Sequence, residues 1–187
     1  MLEVIPLAIG GVLEIRPHRF EDERGFFSET WNFARWSEAG IGAEFVQDNH
    51  SLSKERGVLR GLHFQAPPMA QAKLVRVSRG AVFDVAVDIR AGSPTFGKWV
   101  STILSAERWN QLFVPEGFAH GFVTIEPDTE VQYKTSAPYS PEHDRAIRFD
   151  DPAIRVDWPI AGHEMILSDK DRAAPLLAEV ESGFNYE

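Results

Sequence analysis

Apolar side chains along this chain recur mostly at every second position, in short runs cut by glycine and proline, and helical spacing is confined to two places. Residues 1–16 alternate loosely around Gly10 and Gly11. They predict an opening strand or strand pair able to extend a sheet edge, its own or another copy's. Residues 22–29, D-E-R-G-F-F-S-E, turn at Gly25 into an extended aromatic piece. Residues 32–39 predict a helix, with Phe33 and Trp36 at helical spacing and Gly40 as a stop. From Phe45 the pattern becomes almost wholly β, beginning with the extended but polar F-V-Q-D-N-H-S of residues 45–51.

The runs K-L-V-R-V-S and A-V-F-D-V-A-V-D-I-R flank Arg79 and Gly80 and predict a hairpin. In the second arm Ala81, Phe83, Val85, Val87 and Ile89 share one face while Asp84, Asp88 and Arg90 take the other, the pattern of a half-buried antiparallel strand. In the first arm Lys73 is in phase with Val75 and Val77, so alternation points its ammonium toward the apolar side. A lysine that only snorkels outward is the competing structural explanation. Further strands are expected from Lys98 to near Glu107, over 111–125 with a break at Pro115 and Gly117, and over 130–136; His120, Phe122 and Thr124 share a face, and Tyr133 is in phase with Val131. Residues 138–144 read as a loop holding Tyr139, His143 and Asp144, and Ser168 caps a short terminal helix. Many short strands with Gly/Pro turns predict a mainly β fold, a jelly-roll sandwich or barrel with a few short helices and a cavity for its inward polar residues. One domain, 1–187, accommodates all of it.

Composition narrows the chemistry. The 187 residues include no cysteine, which removes disulfides and thiolate nucleophiles. A formal net charge of −9 argues against nucleic acid or an anionic membrane as partner, though not against a small anionic ligand met by locally gathered Arg and Lys. The N-terminus lacks a basic region ahead of its apolar residues, and no apolar run approaches the roughly 20 residues a bilayer span needs. A cytoplasmic location is the expectation. Thirteen Phe and five Trp favour strands and a ring-lined pocket.

The segment G-V-L-R-G-L-H-F-Q, residues 57–65, carries an internal conflict. Val58, Leu59, Leu62 and Phe64 suit a buried strand, whereas Arg60 and His63 do not. A surface Arg and a hydrogen-bonded core His would explain them structurally; a working site would explain them functionally. Because the two are three apart, a regular strand sends them to opposite faces, so a shared site requires an irregularity near Gly61. A metal centre is poorly provided for: His63 is followed by Phe64 and Gln65, with no second strand ligand, and although His120 occupies the P-E-G-F-A-H corner, one or two imidazoles fall short of the three or four ligands a bound metal wants. The cavity is read as metal-free. No phosphate loop, dinucleotide fingerprint or G-x-S-x-G elbow occurs. What remains suits proton transfer: His63, Lys73, His120, Tyr133 and either Asp169 or Asp171. Imidazole is a base at neutral pH, a carboxylate on its other nitrogen raises its basicity, and an inward ammonium can stabilise an enolate.

The segments D-E-R-G-F-F, F-V-Q-D-N-H-S, V-L-R-G-L-H-F-Q, F-D-V-A-V-D-I-R, S-P-T-F-G-K-W, V-P-E-G-F-A-H-G-F and L-S-D-K-D, in this order, resemble the dTDP-4-dehydrorhamnose 3,5-epimerase family over nearly the whole chain. The resemblance implies a cupin-type jelly roll, dimeric and needing no metal or other cofactor, that acts in dTDP-L-rhamnose biosynthesis on dTDP-4-dehydro-6-deoxy-D-glucose. It assigns His63 as base, Asp171 as its carboxylate, Lys73 as enolate stabiliser, Tyr133 as acid and Tyr139 as a stacking ring for thymine. Arg24, Glu29, Gln47, Asn49, Arg60, His120 and Lys170 match substrate-binding positions, and Asp144 stands where relatives often carry Glu. Arg24, Arg60 and Lys170 would then form the anion site for the diphosphate. Alternatives are epimerisation at C3 alone and a silent nucleotide-sugar-binding jelly roll.

Overall fold

The computed structural model describes residues 2–161 and 164–186. Its framework is two antiparallel sheets. The six-stranded sheet runs in the order β1 (Glu3–Pro6), β2 (Leu13–Arg16), β10 (Gln111–Val114), β7 (Lys73–Arg79), β12 (Thr129–Thr135), β5 (Gln47–Ser53). The five-stranded sheet runs β13 (Asp144–Ala146), β6 (Leu59–Gln65), β11 (Phe118–Thr124), β8 (Ala81–Asp88), β9 (Trp99–Ser105). A ribbon of β3 (Phe20–Asp22) and β4 (Gly25–Phe27) stands apart from both. This is the strand-rich jelly roll that the turn spacing predicts.

Side chains from both inner faces form the layer between the sheets: Val12, Val75, Val77, Leu112 and Val131 from one, Val82, Ala86, Leu104, Phe118 and Phe122 from the other. Each buried Val or Leu contributes about 1.5–3 kcal/mol through removal of apolar area from water. Helix α1 (Phe33–Glu38) starts at Asn32, whose side chain accepts the Arg35 backbone N–H. It lays Trp36 on Ile15, Leu74 and Phe113 of the six-stranded sheet. Phe33, paired with Trp36 by spacing, is instead 47% exposed, because a helix this short offers only one turn to the sheet.

Three expectations change. Arg79 and Gly80 do not close a hairpin: β7 pairs with β10 and β12, and β8 with β11 and β9, so the connection crosses from one sheet to the other. Gly80 makes that corner at φ +75, where a Cβ would lie 2.3 Å from Thr129 Oγ1. Two apolar arms joined by a tight link read alike whether they pair or face one another. Strand β8 is also buried on both faces, because Ile147, Ile154 and Leu177 from the C-terminal chain cover Val85, Val87 and Ile89. The Asp84 side, read as the solvent side, is the inner one, shared with Val82 and Ala86. Asp144, finally, opens β13 opposite Gln65, an extension of the sheet where a loop was expected.

The opening residues form the strand pair expected of them, β1 on β2. Strand β6 carries the irregularity that a shared site requires. Against β11, His63 faces His120 and Arg60 faces Phe122, so three steps along β6 are matched by two along β11. That bulge places Arg60 and His63 on one face. It forms at Gly61, φ +133, where a Cβ would come within 2.5 Å of Gly121 Cα.

Candidate active site

Between the open ends of the sheets lies a cleft of about 460 Å³, lined among others by Arg60, His63, Lys73, His120, Tyr133, Lys170 and Asp171. Strand β6 supplies Arg60 and His63, β7 supplies Lys73, β11 His120 and β12 Tyr133. Helix α2 (Asp169–Arg172) brings Lys170 and Asp171 from the far end of the chain. Its cap is Ser168, whose Oγ accepts the Asp171 N–H at 3.1 Å and donates to Asp171 Oδ2 at 2.8 Å. The residue expected to start the helix therefore also fixes the carboxylate. Asp171 Oδ1 lies 2.5 Å from His63 Nε2, so of Asp169 and Asp171 it is Asp171 that meets the imidazole. Burial alone would raise the Asp171 carboxyl, but the His63 hydrogen bond and charge, with Ser168 and Lys170, hold it below the usual carboxylate value. With Nε2 engaged, Nδ1 is the nitrogen of His63 left to take a proton.

Lys73 is buried, as the period-two reading predicts, and its Nζ donates to the His63 carbonyl oxygen at 3.2 Å. Burial brings its ammonium down to about 8, against the opposing pull of Asp144 and Asp84. Burial also raises the Tyr133 phenol, Arg60 opposing and Asp144 adding to the rise, so its hydroxyl holds its proton at neutral pH. Arg60 Nε reaches Ser53 Oγ at 3.4 Å. His120 Nε2 lies 2.8 Å from Asp84 Oδ1. Among the described residues no three His, Asp or Glu side chains gather as a metal site.

A polar chain continues outward from Lys170 through residues outside the cleft lining, of which Asn49 lines a second pocket that shares Tyr133 with the cleft. Gln47 donates to Asn49 Oδ1 at 3.0 Å and accepts the Tyr139 N–H at 2.9 Å. Tyr139 donates through its hydroxyl to Asp144 Oδ2 at 3.2 Å, and the Lys170 ammonium binds the same oxygen. The Tyr139 ring is 57% exposed and so free to stack. His143 bonds Ser140 Oγ instead and is absent from the cleft lining.

Arg24 and Glu29 are not brought to this cleft by their own chain. Arg24 pairs with Asp22 at 2.5 Å on the exposed β3–β4 ribbon, and Glu29 pairs with Arg35 at 3.0 Å beside α1. The expected trio of anion-binding cations is thus reduced within one chain to Arg60 and Lys170, because the ribbon carrying Arg24 leaves the sheets. Asp84 is the residue sequence reasoning missed. Its signal was its place in phase with Val82 and Ala86, masked by the stronger apolar run on the other face.

Two antiparallel sheets enclosing a polar cleft at one end make this a cupin-type jelly roll. The chain belongs to the dTDP-4-dehydrorhamnose 3,5-epimerase family, whose sequence profile matches residues 6–179. A dTDP-4-dehydrorhamnose 3,5-epimerase of Sinorhizobium fredii is 54% identical over 96% of this chain and 92% of its own length. The Legionella pneumophila dTDP-6-deoxy-D-glucose-3,5-epimerase, solved in complex with dTDP-4-keto-L-rhamnose, superposes with a TM-score of 0.95 at 45% identity, covering 100% of both chains. A 3′-monoepimerase from Streptomyces bikiniensis, in complex with dTDP-quinovose, gives a TM-score of 0.85 at 35% identity, over 92% of this chain and 87% of its own. No helix among the described residues is long and apolar enough to cross a membrane.

Proposed function

We propose that this protein converts dTDP-4-dehydro-6-deoxy-D-glucose to dTDP-4-dehydro-L-rhamnose in the cytoplasm. The observation that carries this reading is the His63–Asp171 pair, which shares one cleft with Lys73 and Tyr133. His63 Nδ1 removes the proton from the carbon beside the C4 ketone, and the C–H electron pair moves into the carbonyl to leave an enolate oxygen. The Lys73 ammonium answers that oxygen, an interaction stronger in the transition state than in the ground state. Tyr133 returns a proton to the opposite face, the C=C electrons forming the new C–H bond and restoring the ketone. Once solvent has taken the proton from the His63 imidazolium and returned one to the Tyr133 phenolate, the same sequence serves the second of the two carbons, C3 and C5. Arg60 and Lys170 hold the diphosphate and Tyr139 stacks on thymine, with Gln47, Asn49 and Asp144 fixing the rim and His120 the sugar.

A homodimer completes the proposal. The β3–β4 ribbon exposes Phe20, Phe26 and Phe27 at 50–70%, an apolar surface that a second copy would bury. Arg24 and Glu29, on and beside that ribbon, would then meet the cleft of the neighbouring copy. Sedimentation equilibrium should give twice the 21.0 kDa chain mass, and a monomer that turns over substrate would exclude this arrangement.

The deciding experiment is incubation with dTDP-4-dehydro-6-deoxy-D-glucose in deuterated water. Solvent deuterium is expected at both C3 and C5. Label at C3 alone would make the protein a 3-epimerase, and no label would overturn the enzyme reading for this substrate.

A further inference from the structure

Five acidic side chains of the described chain are buried. Four of them have both oxygens engaged. Glu14 binds Arg16 and Thr102, Asp88 binds Arg90, Ser93 and Thr95, Asp151 accepts the backbone N–H groups of Ala153 and Leu177, and Asp171 binds His63 and Ser168. Asp84 is the exception. Its side chain is fully buried, Oδ1 lies 2.8 Å from His120 Nε2, and Oδ2 has no partner among the described residues.

A carboxylate with one oxygen lacking a protein partner, buried between two sheets, works against folding. The pattern of β8 would be served as well there by an apolar residue such as its neighbours in phase, Val82 and Ala86. Packing therefore does not account for Asp84; its charge pulls on the Lys73 ammonium, and its one hydrogen bond is to His120. An ionised carboxylate can only accept, so it requires the proton of a neutral imidazole to sit on Nε2. Nδ1 is then the bare nitrogen, and it has no protein partner among the described residues. His120 lines the cleft directly across the sheet from His63, whereas Asp84 stands behind it, outside the lining.

We propose that Asp84 is a positioning residue for the reaction: it locks His120 in the Nε2–H tautomer and turns a bare Nδ1 toward the cleft as acceptor for a hydroxyl of the bound sugar. The cations of the site, Lys73, Arg60 and Lys170, can only donate, so a neutral acceptor beside them supplies what a sugar hydroxyl needs to be oriented. The inference rests on the epimerase reading for its substrate, but the state of the His120 ring does not.

The test uses the full chain labelled with nitrogen-15, with imidazole shifts of His120 read by NMR, alongside turnover of the dTDP-linked 4-keto sugar by wild type and Asp84→Asn. Wild type should show a protonated Nε2 and an unprotonated Nδ1. The amide can present either a donor or an acceptor, so Asp84→Asn should shift the His120 tautomer and lower kcat/KM by about 10- to 100-fold, the scale on which loss of a partner that orients a metal-bound imidazole is felt. A folded variant with unchanged His120 shifts, or with kcat/KM within about twofold of wild type, would overturn the proposal. If Asp84→Asn does not fold, the wild-type spectrum decides alone, since a proton on Nδ1 refutes the lock. Absence of turnover by wild type with the expected spectrum would sink the epimerase reading and leave the hold of Asp84 on His120 standing.

Discussion

His63 and Asp171 lie 108 residues apart in sequence and 2.5 Å apart in space. The strand that bears His63 and the single helical turn that bears Asp171 meet only because the C-terminal chain folds back over the five-stranded sheet. Asp171→Asn keeps the shape but removes the acceptor-only character that holds the imidazole. Solvent exchange at the sugar carbons should fall about 10²- to 10⁴-fold, with the fold retained. Exchange at the wild-type rate would remove Asp171 from the mechanism. The variant should also flatten the acid limb of stability. The folded carboxyl sits below its unfolded value of 3.8, so its contribution is complete above that value and lost as pH falls through the folded one.

Lys73 links activity to alkaline pH. Its ammonium is held to about 8 by burial, and the proposed answer to the enolate oxygen requires the charged form. The expected profile of kcat/KM falls tenfold per unit above about pH 8. A profile flat to pH 10 would show that the charge is not used.

The same burial opposes folding. Between about 8 and 10.5 the unfolded chain binds more protons at this lysine than the folded one, so stability rises with pH across that window. Lys73→Met should abolish turnover yet raise the unfolding free energy at pH 7 by roughly 1–3 kcal/mol. The advantage should shrink as pH climbs past 8. Denaturant titrations at pH 7 and 10 measure it, and a destabilised variant at pH 7 would contradict the account.

Gly61 shapes the bulge. An alanine there must adopt φ +133 and place Cβ 2.5 Å from Gly121 Cα, a backbone atom that cannot step aside. Gly61→Ala is expected to cost about 3 kcal/mol, a fall in Tm of roughly 6–12 °C. Turnover should fall with it, because Arg60 and His63 share the cleft only through that bulge. Calorimetry showing wild-type Tm would refute the steric argument.

Tyr133→Phe retains the ring beside Val75 and Val131 but deletes the hydroxyl. Proton removal by His63 should continue while product formation drops about 10²- to 10³-fold. Comparing loss of substrate deuterium with appearance of product separates the two steps. Equal loss of both would move Tyr133 from acid to mere contact.

How far local pattern reached is visible in particular residues. Alternation along β7 placed Lys73 inward, and the conflict of Arg60 with His63 required a bulge at Gly61; both are properties of a few adjacent residues, and the structure has both. The helix caps at Asn32 and Ser168 were legible for the same reason. The link at Gly80 reads as a hairpin from local pattern because a turn between two apolar strands looks the same whether they pair in one sheet or cross between two. Alternation alone points Asp84 to solvent because periodicity separates the two faces of a strand without saying what covers either. The residue roles at His63, Lys73, Tyr133 and Asp171 came from resemblance in motif, which carries no distances. The chain by itself determined its strands, its turns and the residue types for proton transfer, since these depend on neighbours in sequence. Only the tertiary structure decided which strands pair, which face of β8 is inside, and that Asp171 rather than Asp169 meets His63, because those contacts join residues that no local interaction brings together.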